Sequence, residues 1–141
     1  MNPIVAVKDF LEAKGVGRFD PDYGGWVLTL SKEPISPDTV ITIYNTGGLP
    51  PNPKYLLDYP SVQVRVRGRA NGYLESRATA ERVKDVLLGI DSQDHGDDRW
   101  DSITMATDIV DLGYDQNNRP LHTLNFRCIV EPKLGDNRVP I

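Results

Sequence analysis

The stretch DSQDHGDDRWD, Asp91 to Asp101, is where carboxylates and a histidine crowd together in this 141-residue chain, so metal binding or metal-assisted hydrolysis would be sought there first. An EF-hand loop needs oxygen ligands at its first, third and fifth positions, glycine at the sixth and glutamate at the twelfth. Counted from Asp91, those positions hold Asp91, Gln93, His95, Gly96 and Ser102, and only the first aspartate and the glycine comply. No HExxH helix is present, and a lone histidine beside aspartates in a polar loop reads as a solvated turn more readily than as a ligand.

His122 lies two residues before Leu124 on the apolar side of a strand-like run, where it could serve as a buried general base. The plainer reading is a strand-end histidine satisfied by a neighbouring carbonyl. Cys128, the one cysteine, sits between Phe126 and Val130, a setting that raises a thiol's pKa and hides it, so it reads as packing rather than as a nucleophile. Neither the GxSxG elbow of a serine hydrolase nor the GxxxxGK[ST] loop of a phosphate binder occurs. With two histidines and no converging constellation, the expectation is a protein that is not an enzyme and has no catalytic residue, cofactor or metal.

The elements around these residues read as one α+β domain over 1–141, its sheet mostly antiparallel and twisted, with helices packed on one face. After Pro3, the spacing of Ile4, Val7, Phe10 and Leu11 predicts a helix within 1–15 that Gly15 ends. WVLTLS, Trp26 to Ser31, and VITIYN, Val40 to Asn45, read as strands. The run from Thr46 to Pro60 carries two glycines and four prolines and predicts an extended loop without a regular ladder. In YLESRATAERVKDVLLGI, Tyr73, Ala80, Val83, Leu87 and Ile90 fall on one helical stripe. Asp91 to Asp101 is read as a loop. SITMATDIVDLGYD and RPLHTLNFRCIVEP then form a long C-terminal hairpin, with Leu124, Phe126, Cys128 and Val130 on one face. The tail over 133–141 has no periodic signal and is expected to be flexible.

Composition narrows the partners. The formal net charge is -4, from 16 Lys+Arg against 20 Asp+Glu, which argues against a main affinity for nucleic-acid backbone. A single cysteine forms no internal disulfide and suits a reducing compartment. Lys8, Asp9, Glu12 and Lys14 interrupt the apolar start, so no signal peptide is expected, and no run reaches the roughly 20 apolar residues of a membrane span.

In DYPSVQVRVRGRANGY the residues Val62, Val64 and Val66 point one way and Gln63, Arg65 and Arg67 the other. Three readings stand for Arg65, Arg67 and Arg69. They can form a solvated sheet face, or pair with carboxylates such as Asp108 and Asp111 across a subunit interface, or meet nucleic acid passing nearby. Stacking aromatics do not interleave with them, which leaves single-strand binding the weakest of the three.

A Gly-Gly-Pro loop, then "YPSVQVRVR", a helix beginning with tyrosine, and "LGYD…NRP…LNF" in a closing hairpin occur in linked order from about Thr46 to Pro132. In that order the chain resembles the tailed-phage minor capsid and tail-terminator proteins. The resemblance implies a structural virion protein that forms a homohexameric ring on the end of the tail tube and joins it to the head connector. Its implied partners are further copies of itself, the tail tube protein and a head-completion or connector protein, with DNA only as passing cargo and no membrane. It places the protein in the tail at the head-tail junction, and in the host cytoplasm during assembly. The interface residues expected on this reading are Arg65, Arg67, Arg69, Asp108 and Asp111. Two alternatives stand beside it: another head-tail joining component, such as a head-closure or tail-completion protein, and a small binding module that uses LPPNPKY.

Overall fold

The computed structural model describes residues 1–133 and 138–140. Helix α1, Pro3–Ala13, starts where the Asn2 side chain accepts a hydrogen bond from the Ile4 amide at 3.3 Å, with proline in the first turn. It ends at Gly15, whose φ of +74° turns the chain toward the sheet. Strands follow as β1, Val27–Leu30, β2, Val40–Asn52, and β3, Leu57–Arg67. Helix α2 spans Tyr73–Leu88, and four strands follow among the described residues: β4, Gln93–His95, β5, Asp98–Met105, β6, Val110–Tyr114, and β7, Pro120–Glu131.

The seven strands form one sheet in the order β1-β2-β3-β7-β5-β4, with β6 also paired to β7. All pairings are antiparallel except β1 with β2. Val62, Val64 and Val66 in β3 pair with Phe126, Leu124 and His122 in β7, and Val64 and Val66 pair with Ile43 and Ile41 on the other side. Partners directly opposite share a face. That face meets Ile4, Val7 and Leu11 of α1 and Ala80, Val83 and Leu87 of α2 in one core. Trp100 of β5 is fully buried there, and its ring stands edge-on to Phe10 at 5.4 Å. The expected α+β architecture, with a mostly antiparallel sheet and helices on one face, is the architecture found.

Two expectations about loops are corrected. The run 46–60 is a hairpin in which β2 and β3 extend to Asn52↔Leu57. Two register shifts, between Asn45/Gly47 and between Leu49/Asn52, absorb the residues a regular ladder would refuse, and Pro50 and Pro51 fall inside the second. Gly48, which pairs with Pro60 between the two shifts, has φ of +111°, and a Cβ there would lie 2.0 Å from the Tyr59 carbonyl oxygen, so only glycine fits there. The acidic stretch 91–101 is also paired, as β4 turns through Gly96 (φ +61°) into β5. The C-terminal hairpin is present, but its first arm is broken into β5 and β6, which pair with successive parts of β7. The expected flexible tail, 133–141, falls largely outside the described residues; within them Arg138 pairs with Asp58.

Candidate interaction surface

On the face of β3 away from the helices, Arg65 and Arg67 meet the segment that carries the chain from β1 back to the parallel start of β2. Arg65 Nε lies 3.0 Å from Glu33 Oε2, and Arg67 Nη1 donates to Glu33 Oε1 at 3.1 Å. Arg67 also donates through Nε to the Asp38 carbonyl at 3.1 Å and through Nη2 to the carbonyls of Pro37 at 2.7 Å and Ile35 at 3.4 Å. Its side chain is only 4 % exposed. A second buried arginine, Arg119 at the start of β7, donates through Nη1 to the Ile35 carbonyl at 2.6 Å and lies 3.3 Å from the Asp38 carboxylate. Asp115 anchors Arg119, accepting from its Nε at 2.7 Å. Two buried forks thus satisfy the carbonyls of a crossover that has no helix or ladder of its own.

Arg69 stands apart, paired with Glu75 in the first turn of α2 and largely exposed. Asp108 takes Lys84 Nζ at 3.0 Å. Its carboxyl is held below the usual range by the Ile109 amide and by Lys84, and the Lys84 ammonium is pushed up in return by Asp108. Asp111 gathers three donors: Tyr73 Oη at 2.7 Å, Arg77 Nη1 at 3.2 Å and His122 Nδ1 at 2.8 Å. The Tyr73 hydroxyl is the largest influence lowering the Asp111 carboxyl, and the Tyr73 phenol is pushed up correspondingly. The arginines expected on one side of an interface and the aspartates expected on the other are therefore each engaged within the chain, with different partners.

The residues weighed for chemistry also have places. His95 Nε2 lies 2.7 Å from Asp9 Oδ2, and its ring packs edge-on to Phe10 at 5.7 Å. Among the described residues no group of three or more His, Cys, Asp or Glu side chains is arranged to hold a metal ion. His122 is satisfied by a carboxylate rather than by the neighbouring carbonyl expected for it. The His122–Asp111 pair has the form of a base and its orienting group, yet His122 Nε2 is enclosed, with no hydrogen-bond partner among the described residues. A general base has to reach a proton on a substrate, and this nitrogen faces packed protein. Cys128 is buried and its thiol is pushed up to about 12 by desolvation.

Glu33, Arg119 and Arg77 escaped the sequence reading. NRP, which opens β7, marked Arg119 as the residue before a proline but carried no sign that its side chain would cross to another loop. Among the described residues no helix is long and apolar enough to cross a membrane. A family model described as "Bacteriophage tail terminator protein" matches residues 10–132. Compared with curated proteins, the chain finds no match.

Proposed function

The chain belongs to the bacteriophage tail terminator proteins, structural components of the phage tail, and we propose from that membership that six copies close into a ring on the end of the tail tube. The ring stops tube growth and presents a surface to the head-completion or connector protein. It acts without catalysis or cofactor, in the virion at the head-tail junction after assembly in the host cytoplasm. DNA passes through it as cargo, and the net charge of -4 suits a wall that does not hold the phosphate backbone.

The family match over residues 10–132 carries this reading. A closed ring repeats one head-to-tail contact, so each subunit needs two different and complementary surfaces. Arg69, Asp108 and Asp111 contribute charge to subunit or partner contacts on this reading, which their side-chain exposures of 63 %, 70 % and 43 % support. Arg65 and Arg67 act from beneath, by shaping the 31–39 crossover.

The test is light scattering across protein concentration and salt, with negative-stain imaging alone and with purified tail tubes. Rings of six, or caps on tube ends, are expected. A chain that stays monomeric and ignores tube ends under every condition would overturn the reading. Reversing charge at an exposed position, Arg69→Glu, is expected to weaken assembly several-fold while the far-UV spectrum and melting temperature of the monomer stay unchanged. Rings that form as readily as before would remove Arg69 from the interface.

A further inference from the structure

The crossover at 31–39 presents a large apolar side chain outward. Ile35 is 83 % exposed, while its own carbonyl is gripped by Arg119 and Arg67, and the carbonyls of Pro37 and Asp38 are held by Arg67. An isoleucine on a mobile loop would have to be ordered before it could dock. Here buried guanidinium groups have already fixed its own carbonyl and the backbone that follows it, which lowers the cost of binding.

On the same face of the sheet, toward the hairpin end, the side chains of Leu49, Tyr59 and Ile129 line a cavity of about 260 Å3, together with Ser61, Thr104 and Arg127. That volume falls below the roughly 300–1,000 Å3 of ordinary small-molecule sites, and the apolar lining suits a single aliphatic side chain. Leu49, 66 % exposed, and Ile129 stand open at its mouth. The charges match as well. Asp38, half exposed, lies close to Ile35 in the chain, whereas Arg127 is exposed and makes no ion pair among the described residues.

Ile35 of one copy cannot fill the cavity of the same copy. The crossover sits at Arg67 and the cavity at Tyr59, and residues 59 to 67 of β3 at about 3.3 Å each separate them by about 26 Å. We infer that Ile35 of one subunit seats in the Leu49–Tyr59–Ile129 cavity of the next, with Asp38 facing Arg127, and that this head-to-tail contact joins the subunits of the ring. The inference rests on the ring reading above. A side chain at one end of a sheet face and its receptor at the other make the heterologous pair that a ring requires.

Both contact residues are exposed, so Ile35→Asp and Leu49→Asp are expected to leave the fold intact, checked by circular dichroism and melting. At concentrations where the wild type is fully assembled, each variant alone is expected to drop in mass from six subunits to one. Mixed one to one, they are expected to give a two-subunit species, because the intact Ile35 of the Leu49→Asp chain meets the intact cavity of the Ile35→Asp chain. Rings formed by either variant alone would overturn the inference and leave the ring reading standing. Variants that stay monomeric even when mixed would show that the two surfaces are not each other's partners. A wild type that assembles neither alone nor on tube ends would overturn the ring reading, and the inference with it.

Discussion

Asp111 accepts a hydrogen bond at 2.8 Å from Nδ1 of His122, a side chain 1 % exposed on the core face of β7. The carboxylate reaches in from an edge strand whose five residues are all exposed, so one surface residue satisfies a buried ring. Removing it in Asp111→Ala leaves Nδ1 buried without a partner and should cost about 1–3 kcal/mol in denaturant unfolding. The pH dependence follows from the same contact. Tyr73 first, and then His122 and Arg77, hold the Asp111 carboxyl below its ordinary value, so this stabilisation is present above about pH 4, where the unfolded carboxylate is already ionised. It is lost as the pH falls through the lowered folded value. The stability gap between wild type and Asp111→Asn is therefore expected to be constant near neutrality and to narrow below about pH 4. A gap that widened toward acid would contradict the assignment.

Arg67 divides its donors between one carboxylate and three backbone carbonyls, a pattern that a planar fork satisfies and a point charge does not. Arg67→Ala strands part of this buried set and is expected to cost about 3–5 kcal/mol. Arg67→Lys keeps the charge but cannot reach all four acceptors. Hydrogen exchange across 31–39 should accelerate in that variant while exchange in α2 stays at the wild-type rate. Unchanged protection of the crossover would show that Arg119 alone holds it.

The period-two valines of β3 and the α2 stripe were legible in the sequence because each is a repeat written in consecutive residues. Alternation also placed Arg65 and Arg67 opposite the valines. What it could not supply was the occupant of the space they face, since the crossover from β1 to β2 that covers Arg67 is fixed by a parallel pairing that short strands do not announce. The Asp111–His122 contact was hidden for a similar reason. It depends on the register of β6 against β7, which shifts between Asp111 and Tyr114 where Gly113 takes φ of +80°. Prolines misled at 46–60 because their cost to a ladder is real, and the bulges that avoid it show only in three dimensions.

Gly48 lies in the paired segment between those two bulges. Alanine there meets the Tyr59 carbonyl oxygen at 2.0 Å and the Ser61 amide nitrogen at 2.8 Å, both backbone atoms that cannot rotate away. Gly48→Ala is expected to cost about 1–3 kcal/mol and to open the distal hairpin first, seen as faster amide exchange over 46–60 than in the β3–β7 pairing. Gly47 also has positive φ, at +88°, but a Cβ there would meet nothing within 4 Å, so Gly47→Ala should carry the backbone strain alone and a smaller loss. Equal effects at the two positions would mean that the close approach at Gly48 relaxes at no cost.

Cys128 carries the remaining prediction. Desolvation among core residues pushes its thiol up to about 12. At pH 8 a thiol with that value is ionised in about one molecule in ten thousand, and the thiolate is the reactive form. The folded protein should therefore resist a thiol-specific reagent over hours at pH 8 and take up one equivalent once denatured. Its native labelling rate should rise with denaturant in step with unfolding, because exposure and ionisation arrive together when the core around Phe126 and Val130 opens. Rapid labelling of the native chain, with its melting temperature unchanged, would show that the thiol is reached by local opening of β7 and that the sheet centre is looser than its packing implies.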